Sequence, residues 1–600
     1  MTVAARLGGL SPRAQRRLLL AAVIAAAAAY LAHVVFFFPD AQGRLGDDYD
    51  YFLPLLLAGK YWVAQNGPLA LPWFSPAFCG GLPFLANPQS IYFSLPQALS
   101  FVMGPVGAFM LTTVLFAGAG ALGTYALMRR RFESSVPAAA VGAVVFLCNG
   151  FLLHRMGAGH VTYHVFGLVP LLSLVLLTPL DGERSLRGIA LRASGPVALA
   201  GAMLAYFIFA GAPNIVVPAG IACVAIWLLH SFGRRPVYSF WLVGGAAGCV
   251  AAAAAAMKIV PAAVFVAQFP RVHEIVLFED PLFLARVLLM GLFLPGMLPE
   301  HAWFVGRHEL DYGVGLFPLL IAVAAWGRFR RACGWRSLAP GTVLRLAALL
   351  LLLAIPVFLN LGGPGYAAWL KTLPYVGDST LLVRWFFIYV LPLTVGAGLA
   401  LDYALRDSPQ RSLVAAGGIL VTALPLLLTG SWYRDLELYD PAGVVAADRA
   451  LAAAGAPPAV RRIGNAAAAA GWNDGLVSGA SSHPCYEPLF GYHLESFPRG
   501  LTPGPLGGER HLRNPACYVY GAENGCTPGA SFSDAERAEE SAFAAYRPFA
   551  YQVPRWQRWA NWISVAGIAA IVLGLALGAA GSLRRVSRLT AMRRHPSLAG

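Results

Sequence analysis

The distribution of apolar residues along the chain is the first feature that predicts structure. Predominantly apolar runs of about 20 residues, the length that crosses a hydrocarbon core of about 30 Å, recur from one end of the sequence to the other. The pattern predicts an α-helical polytopic membrane protein with about 12 transmembrane helices, at residues 18–38, 105–128, 136–153, 162–180, 189–210, 214–230, 237–266, 312–326, 343–361, 383–401, 413–428 and 559–580.

The composition agrees with a membrane protein. Of the 600 residues, 58% are hydrophobic and only 12% are charged, against roughly 25% charged residues in soluble domains. The net charge of +15 comes from short basic clusters between the apolar runs, an arrangement that keeps loops in the cytoplasm. We therefore expect membrane lipids, and no nucleic acid, as partners. The clusters share one side of the predicted topology: Arg13, Arg16, Arg17, Arg129, Arg130, Arg131, Arg184, Arg187, Arg234, Arg235, Arg328, Arg330, Arg331, Arg406, Arg411, Arg584 and Arg585.

The charge asymmetry also predicts the orientation and the division of the chain. Both termini are expected in the cytoplasm, so that the longer polar segments face outward. Residues 1–430 form the predicted transmembrane module, whose outward first loop, 40–104, includes an interfacial helix near 51–65. Residues 431–557 are expected to form a small mixed α/β subdomain on the outer, extracytoplasmic side. The last transmembrane helix and a basic cytoplasmic tail occupy 558–600.

An acidic cluster, Gly46-Asp47-Asp48-Tyr49-Asp50, opens the first outward loop. Charge is scarce in this chain, so three carboxylates in four residues at a membrane surface indicate chemistry; a solvated turn that caps the next helix is the simpler alternative. Mutual repulsion between Asp47 and Asp48 predicts a raised pKa for one of them, as a base that works near neutral pH requires. Three roles are open for these carboxylates: one is the base, one binds a metal or orients the acceptor, and one caps the next helix. The sequence does not settle how Asp47, Asp48 and Asp50 divide them.

Several basic residues are predicted at the same outer surface. Ionisable groups in membrane helices are costly and mark functional sites by default. Lys258 lies near the outer end of its apolar run, although its long stem also suits snorkelling to the interface. Arg384 begins a later helix, whereas Arg155, His160 and Arg271 belong to outward turns. Together these cations suit a phosphate group at headgroup depth.

Carboxylates beside cations favour one type of reaction. A carboxylate base accepts the proton of an acceptor hydroxyl, and cations stabilise the charge on a phosphate leaving group. The sequence contains no G-x-x-x-x-G-K-[ST], no G-x-S-x-G and no H-E-x-x-H motif, which lowers the weight of nucleotide-binding, serine-hydrolase and metalloprotease functions.

The acidic cluster just after the first helix resembles that of the GT-C superfamily of polytopic membrane glycosyltransferases, with Asp48 in the position of the base. Further short motifs resemble the bacterial YfhO-like group of that superfamily, over about residues 18–430. The resemblance implies a GT-C-like fold. Two readings stay open for Glu309 and Asp311: they complete the site, or they are solvated residues of a loop. The motifs are Gly80-Gly81-Leu82-Pro83, Asn87-Pro88-Gln89-Ser90, Gly159-His160, Gly211-Ala212-Pro213-Asn214, Lys258-Ile259-Val260-Pro261, Glu309-Leu310-Asp311-Tyr312-Gly313 and the Arg384 helix start.

The resulting hypothesis is an inverting glycosyltransferase of the bacterial inner membrane with a periplasmic active site. A sugar would pass from a polyprenyl-phosphate-linked donor to an envelope glycan or glycolipid acceptor. Asp48 or Asp47 would act as base, and Lys258, Arg384, Arg155, His160 and Arg271 would hold the donor phosphate. No cofactor is required by any motif, and a divalent cation stays an open option. A flippase for a lipid-linked saccharide and a glycan polymerase or ligase are the alternatives.

Cysteine spacing predicts one disulfide bond. Cys517 and Cys526 lie nine residues apart in an outward loop, so they are able to pair in an oxidising compartment. A zinc site is the alternative, although no paired C-x-x-C or H-x-x-x-H spacing supports it.

Overall fold

A computed structural model of the chain describes residues 10–180, 185–232, 234, 237–268, 274–294, 297–298, 301–302, 305–332, 339–379, 381–428, 438–464, 474–482 and 512–594. Helices dominate this part. The first nine are α1 (Pro12–Phe37), α2 (Tyr49–Asn66), α3 (Leu95–Ser100), α4 (Pro105–Arg130), α5 (Val136–Leu147), α6 (Gly150–Ala158), α7 (Val169–Leu176), α8 (Leu186–Phe209) and α9 (Pro213–His230).

The later helices continue the same pattern. Three 3₁₀ segments of the described residues lead directly into α-helices: Val161–Leu168, Leu382–Tyr389 and Asp534–Glu536. The α-helices are α10 (Ser239–Ala254), α11 (Ala256–Gln268), α12 (Pro281–Phe293), α13 (Arg307–Leu310), α14 (Leu316–Ala332), α15 (Pro340–Asn360), α16 (Pro364–Lys371), α17 (Val390–Ala404), α18 (Arg411–Leu428), α19 (Ala442–Ala454), α20 (Ala516–Asn524), α21 (Arg537–Ala544) and α22 (Arg555–Arg594).

Strands in the described residues are short and lie in pairs. Three pairs are antiparallel, and the fourth, β7 with β8, is parallel. The strands are β1 (Leu45–Gly46) with β6 (Leu438–Tyr439), β2 (Phe74–Ser75) with β3 (Leu82–Pro83), β4 (His301–Ala302) with β5 (Val305–Gly306), and β7 (Arg462–Gly464) with β8 (Ala480–Ser482).

The prediction that the apolar runs form helices is confirmed, since a helix lies at each of the twelve predicted positions. By length and composition, eight helices among the described residues are able to cross a membrane, or nine if one bent pair is a single span. Two more predicted runs appear as the shorter apolar helices Val161–Leu176 and Arg411–Leu427. The count of twelve therefore stays a prediction. The eight are Pro12–Phe36, Pro105–Arg130, Val136–Ala158, Leu186–Phe209, Pro213–His230, Pro340–Asn360, Leu382–Ala404 and Arg555–Gly581.

The predicted helix 237–266 is broken, because α10 and α11 meet at an angle of 74°. Pro261 has no N–H to bond the carbonyl of Met257, and its ring crowds that carbonyl, which favours a kink one turn earlier. Side chains of the last helix satisfy the backbone groups that the break leaves without intrahelical partners. Gln557 Nε2 donates to the Met257 carbonyl at 3.2 Å, and the Met257 N–H donates to Ser564 Oγ at 2.7 Å. The bend is therefore stabilised by α22.

The described part of 431–557 packs directly on the first loop. Strand β6 pairs with β1, which places Tyr439 opposite Leu45. The Arg513 N–H donates to the Gly80 carbonyl at 2.8 Å, and Lys60 on α2 forms an ion pair with Asp448. Helix α2, predicted as a surface helix, is consequently buried over most of its length. The two segments form a single outer layer around the chain entering α2.

Candidate functional site

The acidic cluster is held in place by two close approaches of backbone to backbone. A Cβ atom on Gly46 would lie 2.4 Å from the Gly157 carbonyl oxygen, and one on Gly159 would lie 2.6 Å from the Tyr49 nitrogen. Gly159 also has a φ of +101°, a conformation that glycine adopts without strain. The Asp48 N–H donates to the Ala158 carbonyl at 3.2 Å. The start of α2 is thus docked against the end of α6.

Asp48 is the residue of the cluster that meets a partner across this contact. It occupies the N-cap position of α2, yet its side chain makes no capping hydrogen bond. Its Oδ2 atom lies 2.7 Å from His160 Nε2. On the other side of the ring, His160 Nδ1 lies 2.9 Å from Arg155 Nη1. A guanidinium only donates, so Nδ1 is the acceptor and Nε2 carries the proton that faces Asp48.

Arg155 connects this pair to a second carboxylate. Its Nη1 atom lies 2.7 Å from Glu309 Oε2, and Arg384 Nε donates to both Glu309 oxygens at 3.1 and 3.0 Å. Arg155 and Glu309 are buried, whereas 29% of the Arg384 side chain is exposed. Two guanidiniums thus share one carboxylate, and one of them keeps an open face. Asp48, His160, Arg155, Glu309 and Arg384 are called the charged cluster below.

The electrostatics of the cluster oppose the expected raised pKa at Asp48. Burial works to raise the pKa of Asp48, but the hydrogen bond from His160 and the charge of Arg384 outweigh it and hold the pKa below its ordinary value. The expectation of a raised pKa is therefore wrong for Asp48. Burial also works to raise the pKa of Glu309, which Arg155 and Arg384 hold well below its usual range. Both carboxylates are ionised at neutral pH.

A buried pair lies behind the cluster. His154 Nε2 is 3.0 Å from Asp311 Oδ2, and both side chains are fully enclosed. The other oxygen of Asp311 accepts the Gly313 N–H at 3.0 Å. Neighbouring residues on α6, His154 and Arg155, thus contact two acids of one loop, Asp311 and Glu309. This double contact sets the position of the Glu309 carboxylate relative to α6.

The other predicted site residues lie elsewhere. The Asp50 N–H donates to the Asp47 carbonyl at 2.9 Å, and the charge of Asp50 acts on Tyr439 of β6, so it faces the outer layer. Lys258 is buried just after the α10–α11 bend, where its Nζ donates to the carbonyls of Ser90 and Phe209 at 2.8 and 3.3 Å. Arg271 lies outside the described residues.

A cavity of about 180 Å³ adjoins the cluster, and Arg384 is the cluster member that lines it. The rest of its lining combines aromatic rings with a few polar groups, the usual make-up of a small-molecule site. Tyr163 and His308 belong to this region and were not predicted as site residues; the adjacency of His308 to Glu309 in the sequence was the available signal. The cavity is lined, besides Arg384, by Tyr163, Asn214, Tyr375, Asp378, Ser379 and Trp385, among others.

Three side chains in and beside the charged cluster are of the types that bind a metal ion. Atoms of His160, His308 and Glu309 lie within 4.8 Å of one another, and burial lowers the pKa of His308 to about 3, which keeps its imidazole neutral. Nitrogen and carboxylate donors suit a zinc-type ion. Glu309, however, already faces Arg155 and Arg384, whose charges oppose a second cation. The donors fit a divalent ion in type, and such an ion would compete with two guanidiniums.

The predicted disulfide bond is confirmed. Cys517 and Cys526 are bonded, with their Cα atoms 5.5 Å apart, so the zinc alternative for this pair is wrong. Cys79 of the first loop is also disulfide-bonded, which the sequence analysis did not predict. Cys148, Cys223 and Cys249 are free thiols.

Comparison with known proteins finds similar solved structures but does not assign the chain to a family. No protein-family model matches the chain, and no curated protein matches it significantly. Among solved structures, the arabinofuranosyltransferase AftD from Mycobacteria is 16% identical with a TM-score of 0.42, over 76% of this chain and 30% of that one. The Archaeoglobus fulgidus oligosaccharyltransferase in the apo form is 14% identical with a TM-score of 0.37, over 70% and 56%.

A further structure, the oligosaccharyltransferase AglB from Archaeoglobus fulgidus with an inhibitory peptide and a dolichol-phosphate, is 15% identical with a TM-score of 0.34. The match covers 70% of this chain and 56% of that one. The chain thus spans between 30% and 56% of the length of these proteins. The similarities assign no role to any residue of this chain. What its own helices and charged cluster define is a membrane-embedded, mainly helical protein with an ionised site at one end of its spans.

Proposed function

We propose that the chain is an inverting glycosyltransferase of the GT-C type. It moves a sugar from a polyprenyl-phosphate-linked donor to an envelope glycan or glycolipid acceptor. The observation that carries the proposal is the charged cluster itself. It links an ionised, partly exposed carboxylate, Asp48, through His160, Arg155 and Glu309 to a partly exposed guanidinium, Arg384, which lines the cavity. The YfhO-like group, the twelve-span topology and the periplasmic face of the bacterial inner membrane belong to the same proposal.

Asp48 acts as the general base of this reaction. His160 binds its Oδ2 atom at 2.7 Å, which orients the carboxylate, and the lowered pKa keeps it ionised. The acceptor hydroxyl oxygen bonds to the anomeric carbon of the sugar while its proton passes to Asp48. A carboxylate of low pKa serves when bond breaking to the leaving group runs ahead of attack, as in oxocarbenium-like transition states. A single displacement inverts the anomeric configuration.

Arg384 stabilises the leaving group. As the bond between the anomeric carbon and the phosphate oxygen breaks, the polyprenyl phosphate retains the bonding electrons and gains negative charge. Preorganised cations aimed at developing charge contribute strongly to rate in water-poor sites. Glu309 holds the guanidinium through Nε and Nη2, so that the remaining N–H groups are available to a phosphate. Arg155 and His160 act behind Arg384 and Asp48, as positioning residues.

A transfer assay with Asp48→Asn tests the base. Purified protein in liposomes is given polyprenyl-phosphate sugars, identified beforehand by mass spectrometry of lipid-linked intermediates that accumulate in cells lacking the protein. Asp48→Asn is isosteric, so it is expected to fold and to lose transfer at least 100-fold, the range typical of removing an acid–base group. Asp47→Asn, one residue away in the same acidic cluster, is the matched control and is expected to keep most activity.

The opposite outcomes reject the proposal. An Asp48→Asn protein with unchanged transfer would show that another group takes the proton. Movement of the lipid-linked sugar across the liposome membrane, with no transfer to any acceptor by the wild-type protein, would identify a flippase instead. Folding of each variant is checked by its thermal midpoint in detergent.

A further inference from the structure

A long apolar groove runs along the membrane-spanning helices at a distance from the charged cluster. It has a volume of about 1100 Å³ and lies between α1, α4 and α5. Its walls are mostly aliphatic and small residues, joined by Tyr30 and Tyr125. The apolar lining includes Leu19, Val23, Gly118, Leu122, Ala140 and Val144.

One end of the groove carries a polar rim, formed by Arg16 of α1, Ser135 before α5, and Ser408 and Arg411 near the start of α18. Arg411 is already compensated, because its Nη1 lies 3.2 Å from Asp402. The same carboxylate accepts the Ser135 N–H at 2.8 Å.

Arg16 differs from Arg411 in having no ion-pair partner among the described residues, and its side chain is exposed. Arg13 and Arg17 lie in the same turns of α1, whose first turn contains no acidic residue. Cations at a helix N-terminus meet the positive end of the helix dipole, which is unfavourable for them. The rim therefore carries positive charge that the described residues leave uncompensated, next to an apolar groove.

We infer that the groove binds one acidic phospholipid, with its acyl chains along α1, α4 and α5 and its phosphate at Arg16. Basic pockets between transmembrane helices attract anionic lipid headgroups, and each buried methylene of a chain contributes about 0.8 kcal/mol. Charge complementarity selects the acidic headgroup over a zwitterionic one. Gly118 and Ala140 keep the groove wide enough for a chain.

This lipid is distinct from the proposed donor. Arg16 and the end of α1 at Phe36 are twenty residues apart, which is roughly 30 Å along a helix. The charged cluster follows that far end of α1, because Asp48 comes shortly after it in the sequence. The rim therefore lies at the opposite leaflet from the proposed transfer site, and the inference stands or falls independently of the proposed function.

The test uses full-length protein in nanodiscs of phosphatidylcholine with 20% phosphatidylglycerol, roughly the anionic content of a charged leaflet. Native mass spectrometry counts the lipids that stay bound. Wild-type protein is expected to retain one phosphatidylglycerol, with at least tenfold preference over phosphatidylcholine. Gly118→Leu fills the groove without strain, since a Cβ there meets nothing within 4 Å, and it is expected to abolish retention. Gly245→Leu on α10 is the control, with equally open space.

The variant Arg16→Gln distinguishes the contribution of the lipid headgroup to binding from that of the acyl chains. Because Arg16 is an exposed side chain at the rim, its replacement leaves the fold intact and is expected to remove the preference for phosphatidylglycerol while phosphatidylcholine still binds. Equal retention of both lipids by the wild-type protein overturns the inference, as does unchanged retention in Gly118→Leu. An unchanged preference in Arg16→Gln overturns the assignment of the headgroup to this end.

Discussion

The charged groups around the end of α6 fall into two regions that differ in access. Asp48, His160 and Arg384 keep 20%, 11% and 29% of their side chains exposed, and Arg384 lines a cavity. His154 and Asp311, one or two residues from members of the charged cluster, are fully enclosed. Both regions consist of paired charges, so pairing alone does not mark a reactive site. Partial exposure separates groups that can meet a substrate from groups that only hold the structure.

Lys258 and Arg384 show the same difference for cations. The Lys258 ammonium donates to the carbonyls of Ser90 and Phe209, which satisfies backbone groups of the first loop and of the end of α8. Arg384 donates to Glu309 and faces the cavity. The comparison favours Arg384 as the phosphate-binding cation and Lys258 as a structural one, against the equal weight that the sequence suggested.

The largest effect is expected from Arg384→Lys. Lysine keeps the charge opposite Glu309 but loses the planar fork that contacts two groups at once. Transfer should fall about 100-fold, in the range measured for loss of one charge-stabilising donor, and the thermal midpoint should change little. Arg345→Lys on α15, remote from the cluster, serves as the control. A variant that transfers at the wild-type rate would remove the distinction between the two cations.

Lys258→Met should instead affect stability. The substitution leaves two buried carbonyls without their donor, which costs about 1–3 kcal/mol for each group. We expect the free energy of unfolding to fall by roughly 2–6 kcal/mol, while transfer per folded molecule is retained. The measurement is denaturation in detergent, alongside activity normalised to folded protein. Loss of transfer at unchanged stability would restore Lys258 to the phosphate site.

Asp311→Asn examines the enclosed region. Asparagine keeps an acceptor for the Gly313 N–H but removes the charge that faces His154. A loss of about 1–3 kcal/mol in stability is expected, as for weakening a buried polar contact, with only a few-fold change in transfer through the shifted Glu309. If transfer falls as far as in Asp48→Asn, the enclosed pair takes part in the chemistry.

The smallest effect concerns pH and His308, which lies between the two regions. Its folded pKa of about 3 is below the ordinary value of 6.5, so the unfolded state binds more protons between these values and stability falls as the pH falls below 6.5. Between pH 7 and pH 5.5 this group should remove about 1 kcal/mol.

His308→Gln removes this titration and should flatten the stability profile over that interval. Thermal midpoints at both pH values, for the wild-type protein and the variant, measure the difference. Parallel profiles for the two proteins would show that His308 is not kept neutral by the fold.

Much of the fold followed from patterns that act locally. Apolar runs of membrane length predicted a helix at every one of twelve positions, and the spacing of Cys517 and Cys526 predicted their disulfide bond. The bend after Ala254 was missed, because Pro261 acts one turn away and α22, some 300 residues later, supplies the missing hydrogen bonds. The disulfide bond of Cys79 was missed for lack of a spacing signal.

For the site, sequence alone selected Asp48, His160, Arg155, Glu309 and Arg384, because charge is rare in this chain and expensive near a membrane. Through the resemblance it placed Asp48 ahead of Asp47, but it did not rank the five against Lys258 or Asp311. Which charges stay accessible, and which are enclosed, depends on helices that are distant in sequence: α6 reaches the start of α2 because Gly46 and Gly159 admit the backbone of the other segment. Only tertiary packing decided that access, since burial is set by neighbours and not by the residues themselves.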